Sequence, residues 1–342
     1  MKIGVLTGGG DCPGLNAIIR AVTRKALESK HTVIGIKSGW AGLIKQDYIR
    51  LTHDSVSGTL SKGGTILKTS RTNPYKEKNG EKTVIRGMKK IGIDALIAIG
   101  GDDTLSVALQ LYKAGVKIIG VPKTIDNDIS GTDFTTGFDT AVNIVTDAID
   151  RIHTTAESHH RTVVVEVMGR HAGWIATMGG IAGGADCILI PEIPFSIDEV
   201  CTLIKKRHKR GRDYSIIVAA EGAKPIESKS LITASSKKDD FGHIMLGGIG
   251  QVLAKEIEER TGIETRVTVL GHIQRGGTPS AYDRILGTRL GIKAVELANS
   301  GKWGQMVAIQ RNRIVSVPLK DAVGTQNTVD KELYEAAKLF FG

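Results

Sequence analysis

The sequence predicts an α/β protein built around parallel sheets. Short apolar runs alternate with segments of helical periodicity, which is typical of strands joined by crossover helices. Glycine is abundant, at 42 of 342 residues, as tight strand-to-helix turns require, and aromatic residues make up only 4%. We therefore expect aliphatic cores and right-handed parallel connections.

The first α/β series begins at the start of the chain. Residues 2–7 (KIGVLT) predict a buried strand, followed by three glycines and a helix, LNAIIRAVTRKALES, with Pro13 in its first turn. HTVIGIKSG, IDALIAIGG and VKIIGVPKT predict further strands, the last two separated by the helical pattern TLSVALQLYKAG. Ligands bind beyond the carboxyl ends of parallel strands. The loops at 8–14, 100–104 and 122–128 all fall at such ends.

A second α/β series begins near residue 138. RTVVVEVMGR, CILIPEI and YSIIVAAEGA predict strands, and RVTVLGHIQRGG predicts another with a glycine-rich end. The polar stretch between Ala223 and Met245 is the best candidate for a mobile insertion. There is no tandem repeat or clear linker, so we expect two closely packed domains.

Composition argues against several classes of partner. The formal charge is +10, but the one dense basic run, Lys205–Arg212, contains no aromatic residue and is typical of a solvated helix face rather than a nucleic-acid site. No apolar segment approaches the roughly 20 residues that span a bilayer. The three cysteines show no paired spacing, and the first residues form a strand pattern rather than a signal peptide. We expect a cytoplasmic protein without a membrane or nucleic-acid partner.

The glycine-rich loop Gly8–Gly14 (GGGDCPG) lies between a strand and a helix. Glycines allow close backbone approach to a phosphate, and a helix N-terminus offers free N–H groups. The pattern is not a dinucleotide fingerprint, because Pro13 stands at the last glycine, and the chain has no Gly-Lys-Ser/Thr tripeptide. Phosphate binding and a simple tight turn both remain open for this loop.

Two acidic clusters accompany that loop. GGDDT places Asp102 after one predicted strand, and PKTIDND places Asp126 and Asp128 after the next. Mg²⁺ prefers carboxylates, waters and phosphate oxygens, so the clusters predict a magnesium-dependent phosphoryl-transfer site. The alternative is that these residues only form turns. If the loop is extended, Asp126 and Asp128 point to opposite sides.

Cationic residues mark the ends of two later strands. Arg161 and Arg170 flank one, while Arg266 opens another that His272 and Arg275 close. The guanidinium groups of the arginines suit a phosphate monoester, and surface ion pairs are the alternative. The adjacent histidines at 159–160 lack further ligands at zinc spacing.

Five motifs in order resemble the phosphofructokinases. They are GVLTGGGDCPGLNAIIR, GGDDT, PKTIDND, VEVMGRHAGW and TVLGHIQRGG, and the similarity runs from residue 2 to about residue 290. The resemblance implies two Rossmann-like three-layer α/β domains with mostly parallel sheets and the active site in the cleft between them. A donor- and Mg-binding domain would comprise residues 1–137 plus about 274–324. A fructose 6-phosphate domain would comprise 138–273 plus about 325–342.

The resemblance also implies roles for matching residues. Asp126 would take the proton of the sugar 1-hydroxyl, Asp102 and Asp128 would position Mg²⁺, and Thr124 and Arg170 would steady the transferred phosphoryl group. Binding roles extend to further positions: Gly10 and Arg71 for the donor, Met168, Gly169 and Glu221 for the sugar, and His272 and Arg275 for its 6-phosphate. Arg161 and Arg266 would reach that phosphate from a neighbouring subunit, which implies a homodimer or homotetramer.

The second acid of GGDDT indicates the phosphoryl donor. ATP-using members of the family typically carry glycine at the position of Asp103 and commonly at that of Lys123, whereas this pair resembles the pyrophosphate-dependent members. A carboxylate about 4 Å from the α-phosphate of ATP would repel it by roughly 4 kcal/mol at an effective dielectric near 20. Lys123 can supply compensating charge for the shorter donor.

The resemblance therefore implies reversible transfer from pyrophosphate to fructose 6-phosphate, giving fructose 1,6-bisphosphate and phosphate. An ATP-dependent 6-phosphofructokinase is the alternative. More remote alternatives are a lipid or NAD kinase, whose GGDGT loop resembles GGDDT, and a non-catalytic sugar-phosphate sensor.

Overall fold

The computed structural model describes residues 1–226, 233–238 and 244–342. About half of the stretch between Ala223 and Met245, where a mobile insertion was predicted, lies outside the described residues. In chain order the strands are β1 (Lys2–Thr7), β2 (Thr32–Ile36), β3 (Tyr48–Leu51), β4 (Ala95–Gly100), β5 (Ile118–Pro122), β6 (Thr162–Val167), β7 (Cys187–Leu189), β8 (Ser215–Ala220), β9 (Thr233–Lys238), β10 (Ile244–Leu246), β11 (Thr265–Val269), β12 (Gln305–Gln310) and β13 (Arg313–Pro318).

Helices connect these strands. They are α1 (Leu15–Glu28), α2 (Trp40–Lys45), α3 (Gly80–Ile91), α4 (Asp102–Lys113), α5 (Phe138–His159), α6 (Trp174–Ala182), α7 (Ile197–Lys209), α8 (Ile249–Thr261), α9 (Ala281–Asn299), α10 (Leu319–Ala322) and α11 (Lys331–Lys338). Short 3₁₀ helices occupy Asp54–Val56, Pro74–Lys76 and Gly271–Arg275. No helix in the described part of the chain is both long and apolar enough to cross a membrane.

The larger sheet has the strand order β13-β12-β5-β4-β1-β2-β3. Its middle strands, from β12 to β2, run parallel, as the sequence pattern predicts. The edge strands β3 and β13 are antiparallel to their neighbours. Sequence analysis predicted neither edge strand nor β12. A two-residue turn with Arg311 and Asn312 at positive φ joins β12 to β13 as a hairpin.

The second sheet has the order β11-β6-β8-β7 and is parallel throughout. All four of its strands were predicted. Strands β9 and β10 form a separate antiparallel pair. The larger sheet draws its strands from residues 2–122 and 305–318, and the second from residues 162–269. The boundaries of the two domains stay predictions.

Both sheets are covered on both faces, which explains their continuous apolar strands. In β4, Ile97 and Ile99 join the core beneath α1 and α9, while Leu96 and Ala98 join the core beneath α3 and α4. The second sheet packs against α5 and α6 on one face and α7 and α8 on the other. The predicted α/β fold with helices on both sides of mostly parallel sheets is confirmed.

One helix begins at a residue other than the one predicted, and a proline placed in another helix lies outside it. Helix α1 starts at Leu15, after Gly14 with φ 99°, so the placement of Pro13 in its first turn was wrong. Position 14 also requires glycine for a steric reason, because a Cβ there would lie 2.4 Å from Cγ2 of Thr136. Helix α4 starts at Asp102 rather than Thr104, so both acids of GGDDT lie in its first turn.

Candidate active site

A cavity of about 340 Å³ lies between the two sheets. One wall is formed by the loops that follow β1, β4 and β5. The opposite wall is formed by the segments that follow β6 and β8 and by the 3₁₀ helix after β11. The cavity therefore lies at the carboxyl ends of parallel strands, where the sequence analysis expected a ligand site.

Most of the predicted site residues line this cavity. They are Gly10, Arg71, Asp102, Asp103, Lys123, Thr124, Asp126, Asp128, Met168, Arg170, Glu221, His272 and Arg275. Gly169 is buried beside the cavity rather than lining it, and its carbonyl accepts a hydrogen bond from the N–H of Gly222. Arg161 and Arg266 lie elsewhere in the chain.

The side chain of Lys123 binds the backbone of the glycine-rich loop. Its ammonium group donates to the carbonyl of Gly8 at 3.1 Å and to that of Gly10. The side chain is only 3% exposed, and burial lowers its pKa. Lys123 therefore fixes the loop through backbone carbonyls while it faces the cavity.

Gly10 makes room for a side chain from the opposite wall. A Cβ at Gly10 would lie 2.6 Å from a terminal guanidinium nitrogen of Arg275. The same guanidinium donates to the carbonyl of Asp11 at 3.4 Å. A substitution at Gly10 would therefore displace Arg275 as well as narrow the approach to the loop.

Asp102 and Asp103 occupy the first turn of α4, after the cap residue Gly101. The partial positive charge of a helix N-terminus stabilises carboxylates there. Asp102 also accepts a hydrogen bond on Oδ1 from the N–H of Gly324 at 3.1 Å. Two adjacent acids are thus compatible with this strand-to-helix junction.

Asp126 and Asp128 both line the cavity, and the extended loop that would have pointed them to opposite sides is not formed. The loop is not extended, because Asn127 between them has φ 53°. The Asn127 side chain stabilises this left-handed conformation: it accepts from the N–H of Thr135 at 2.8 Å and donates to the carbonyl of Asp133 at 3.1 Å.

This wall has an excess of negative charge. Burial raises the pKa of Asp128 to about 7, and the neighbouring charge of Asp126 adds to the shift. Asp102 and Asp103 contribute in the same direction. Such a site favours a bound cation, which would relieve the repulsion among the carboxylates.

The carboxylates fit Mg²⁺ better than a metal held by protein alone. No three His, Cys, Asp or Glu side chains form a candidate metal cluster within the described residues. Mg²⁺ usually takes one or two carboxylates and completes its shell with water and substrate phosphates. Asp102 and Asp128 meet that requirement.

The opposite wall is mainly cationic and carries Arg170, His272 and Arg275. Glu221 is the exception. Burial raises its pKa to about 6, and the charge of Asp126 across the cavity adds to the shift. Gln274 supports this wall, because its side chain accepts from the N–H of Met168 at 3.2 Å and donates to the carbonyl of Gly271 at 3.0 Å.

Arg161 and Arg266 lie at the opposite ends of their strands from this cavity. Arg161 precedes β6, and the length of that strand places it about 23 Å along the sheet from Met168. Arg161 pairs with Glu264 at 2.8 Å, and Arg266 pairs with the same carboxylate. Neither arginine can serve the cavity of its own chain in this arrangement.

Sequence analysis missed several lining residues, among them Thr104, His171 and Gln326. The signal for His171 was present, because it follows Arg170 directly. Thr104 follows the two acids of GGDDT in the same way. Gln326 lies in a C-terminal segment without a recognisable motif, and only the folded chain brings it to the cavity.

Comparison with known proteins shows similarity over the full length of the chain. The phosphofructokinase family model matches residues 2–298. A pyrophosphate–fructose 6-phosphate 1-phosphotransferase from Amycolatopsis methanolica is 54% identical over the full length of both chains. One of the same name from Streptomyces coelicolor is 53% identical, again over both full lengths. An ATP-dependent 6-phosphofructokinase from Mycobacterium tuberculosis is 50% identical over the full length of both chains.

Solved structures agree at the level of the fold. Phosphofructokinase from Pichia pastoris superposes with a TM-score of 0.83 at 34% identity, over 99% of this chain and 36% of that chain. A pyrophosphate-dependent phosphofructokinase from Marinobacter aquaeolei superposes with a TM-score of 0.83 at 24% identity, over 97% of this chain and 86% of that one. Together with the family match, these similarities show that the chain belongs to the phosphofructokinase family.

Proposed function

We propose that the protein transfers a phosphoryl group from pyrophosphate to the 1-hydroxyl of fructose 6-phosphate. The products are fructose 1,6-bisphosphate and phosphate, and the reaction is Mg²⁺-dependent and reversible. The observation that carries the choice of donor is the position of Asp103 in the wall of the cavity, directly beside Asp102. The full-length relatives named pyrophosphate–fructose 6-phosphate 1-phosphotransferase support it.

Asp126 is the general base in this proposal. Its N–H donates to the hydroxyl of Thr124 at 3.1 Å, which helps to fix the loop that carries the carboxylate. The proton of the sugar 1-hydroxyl passes to Asp126 as that oxygen forms its bond to phosphorus. The bond between this phosphorus and the bridging oxygen breaks, and phosphate leaves. Thr124 and Arg170 stabilise the charge of the group in transit.

Asp102 and Asp128 would hold the magnesium ion. When bound, Mg²⁺ neutralises charge on the donor phosphates and orients them. The residues around the magnesium ion have separate tasks. Gly10 and Arg71 bind the donor. Lys123 fixes the glycine-rich loop and supplies positive charge beside it.

The cationic wall would bind fructose 6-phosphate. Met168, Gly169 and Glu221 contact the sugar, and His272 and Arg275 bind its phosphate. Because Arg161 and Arg266 lie at the far ends of their strands, they would complete the phosphate site of a neighbouring subunit. The protein is then a homodimer or homotetramer with shared active sites.

We place this enzyme in the cytoplasm. All three cysteines are buried free thiols, which is typical of proteins from a reducing compartment. Sugar phosphates are its partners in this proposal, and neither a membrane nor nucleic acid is needed for the reaction.

A coupled assay tests the proposed activity. Purified protein receives fructose 6-phosphate, Mg²⁺ and either pyrophosphate or ATP, and the formation of fructose 1,6-bisphosphate is followed. We expect efficient turnover with pyrophosphate and little or none with ATP. Efficient turnover with ATP would support the second candidate, an ATP-dependent 6-phosphofructokinase, which the relatives of that name favour. No turnover with either donor would refute both.

A further inference from the structure

The chain crosses between the two sheets once more after the family match ends at residue 298. Residues 323–330, here called the strap, leave α10 beside the larger sheet and lead into α11. Helix α11 is fixed to the second sheet, where the hydroxyl of Tyr334 donates to the carbonyl of Ile188 at 2.7 Å. The strap therefore connects the two walls of the cavity.

The strap binds the acidic wall at several points. Asn327 contacts two successive carbonyls of the loop between β5 and α5: its side-chain amide donates to Asn127 at 2.9 Å, and its backbone N–H donates to Asp128 at 3.0 Å. Directly before Asn327 in the strap, Gln326 pairs with Ile129 in an antiparallel bridge and reaches the cavity.

The strap also binds the cationic wall. The indole N–H of Trp174, the first residue of α6, donates to the carbonyl of Asn327 at 2.9 Å. The N–H of Val329 donates to Glu192 at 3.0 Å, and the same carboxylate accepts from the N–H of Gly173 at 3.0 Å. Gly173 and Trp174 follow shortly after Arg170 in the chain, so the strap is bound next to this cavity-lining arginine.

Asn327 thus makes hydrogen bonds to both walls. The loop that it binds contains Asn127 at positive φ, a conformation that persists only when its surroundings hold it. The Asn127 side chain holds the loop from one side, and Asn327 binds its carbonyls from the other. Displacements of about 1 Å in a reacting group can reduce a rate by about 100-fold.

We propose that Asn327 is a positioning residue for Asp126 and Asp128, and that it acts by tying their loop to Trp174 across the cleft. The proposal rests on the proposed function, since it assigns the loop its catalytic task. Asn327 touches neither the sugar nor the donor in this scheme. Its removal should therefore impair turnover far more than binding of fructose 6-phosphate.

The experiment combines Asn327→Ala, Trp174→Phe and the double variant, with Thr328→Ala as the control. Thr328 is an exposed neighbour on the same strap. We expect Asn327→Ala to lower kcat by about 10- to 100-fold while KM for fructose 6-phosphate changes less than threefold. Trp174→Phe keeps an aromatic ring but loses the indole donor, so it should show a smaller loss of the same kind.

The double variant distinguishes two explanations: that the two residues act through the same chain of contacts, or that each has an independent structural effect. Asn327→Ala removes the side-chain bond to the carbonyl of Asn127 but keeps the backbone carbonyl that Trp174 binds. If these two bonds order the same loop in series, the loss in the double variant should be smaller than the product of the two single losses. Multiplied losses, unchanged kcat in both single variants, or a rise in KM that matches the fall in kcat would overturn the proposal. Circular dichroism identifies variants that do not fold, and Trp174→Phe then carries the test.

Hydrogen exchange tests, independently of the reaction, whether the contacts of Asn327 order the loop. In Asn327→Ala, amides of residues 123–137 should exchange faster than in wild type, and Thr328→Ala should match wild type. If wild type lacks phosphofructokinase activity, the proposed function fails, while this measurement still decides whether the strap orders the loop. Unchanged exchange in Asn327→Ala would show that Asn327 does not order the loop, and would overturn the proposal.

Discussion

The two walls of the cavity carry opposite charge, although each is built from loops after parallel strands. The wall of the larger sheet carries four carboxylates, which are Asp102, Asp103, Asp126 and Asp128. The wall of the second sheet carries two arginines, Arg170 and Arg275, together with His272. The difference shows that one fold element, the end of a parallel strand, can carry side chains of either charge.

The contrast follows from what each phosphate would bring with it. A diphosphate donor arrives with Mg²⁺, so carboxylates that bind the ion also bind the complex. A sugar phosphate arrives as an anion and requires cations from the protein. Burial, together with the neighbouring charge of Asp126, raises the pKa of Asp128 to about 7, so a bound cation would favour its charged form.

The largest effect should come from the acidic wall. Asp126→Asn should lower kcat by about 10²- to 10⁴-fold, because the sugar hydroxyl loses its general base. The cationic wall is unaltered, so KM for fructose 6-phosphate should remain within a few fold. Steady-state kinetics with saturating donor measures both values. Turnover near that of wild type would remove Asp126 from this role.

A smaller effect should come from the cations at the far ends of the second sheet. Arg161→Ala should raise KM for fructose 6-phosphate by about 10- to 100-fold, because a charged hydrogen bond to phosphate contributes about 1.5–3 kcal/mol. Arg313→Ala, an exposed arginine of the hairpin edge, serves as the control and should leave KM unchanged.

Mixing variants shows whether the cationic wall is shared between subunits. Arg161→Ala and Asp126→Asn proteins are unfolded together and refolded, and hybrid oligomers are verified by native mass spectrometry. Hybrids should regain activity, because one of their sites receives an intact contribution from each chain. If verified hybrids stay as inactive as the parent variants, the sites belong to single chains.

A further effect, on stability rather than on activity, should come from the contact between α5 and α9. Asp283 of α9 is fully buried and accepts from the N–H groups of Gly137 at 2.8 Å and Thr140 at 2.9 Å, so it caps α5. Asp283→Ala should lower the free energy of unfolding by about 3 kcal/mol, because these donors lose their acceptor. Urea unfolding measures the change. Asp147→Ala, on the exposed face of α5, should cost less than about 0.5 kcal/mol; equal losses would contradict the assignment.

The sequence predicted the parallel strands well because they are buried on both faces and read as apolar runs. It did not predict β3, β12 or β13. The two edge strands are only partly buried and carry mixed sequences. β12 is largely buried, but it follows the chain's last recognisable motif.

Long-range contacts account for most of what the sequence analysis missed at the site. The motifs located both acidic clusters, but the orientation of Asp126 and Asp128 depends on Asn127, whose side chain binds residues 133 and 135. Asn327 and Gln326 belong to a segment with no motif, and only the folded chain brings them to the loop.

The central claim is that the acidic wall selects the donor through Asp103. The most direct test is the ratio of kcat/KM for pyrophosphate to that for ATP, in wild type and in Asp103→Gly, at fixed free Mg²⁺. Wild type should strongly prefer pyrophosphate. Asp103→Gly should raise ATP use by roughly two to three powers of ten, because it removes repulsion of a few kcal/mol. Asp102→Gly, as the matched control, should depress both donors together. A wild type that prefers ATP, or an unchanged ratio in Asp103→Gly, would contradict the claim.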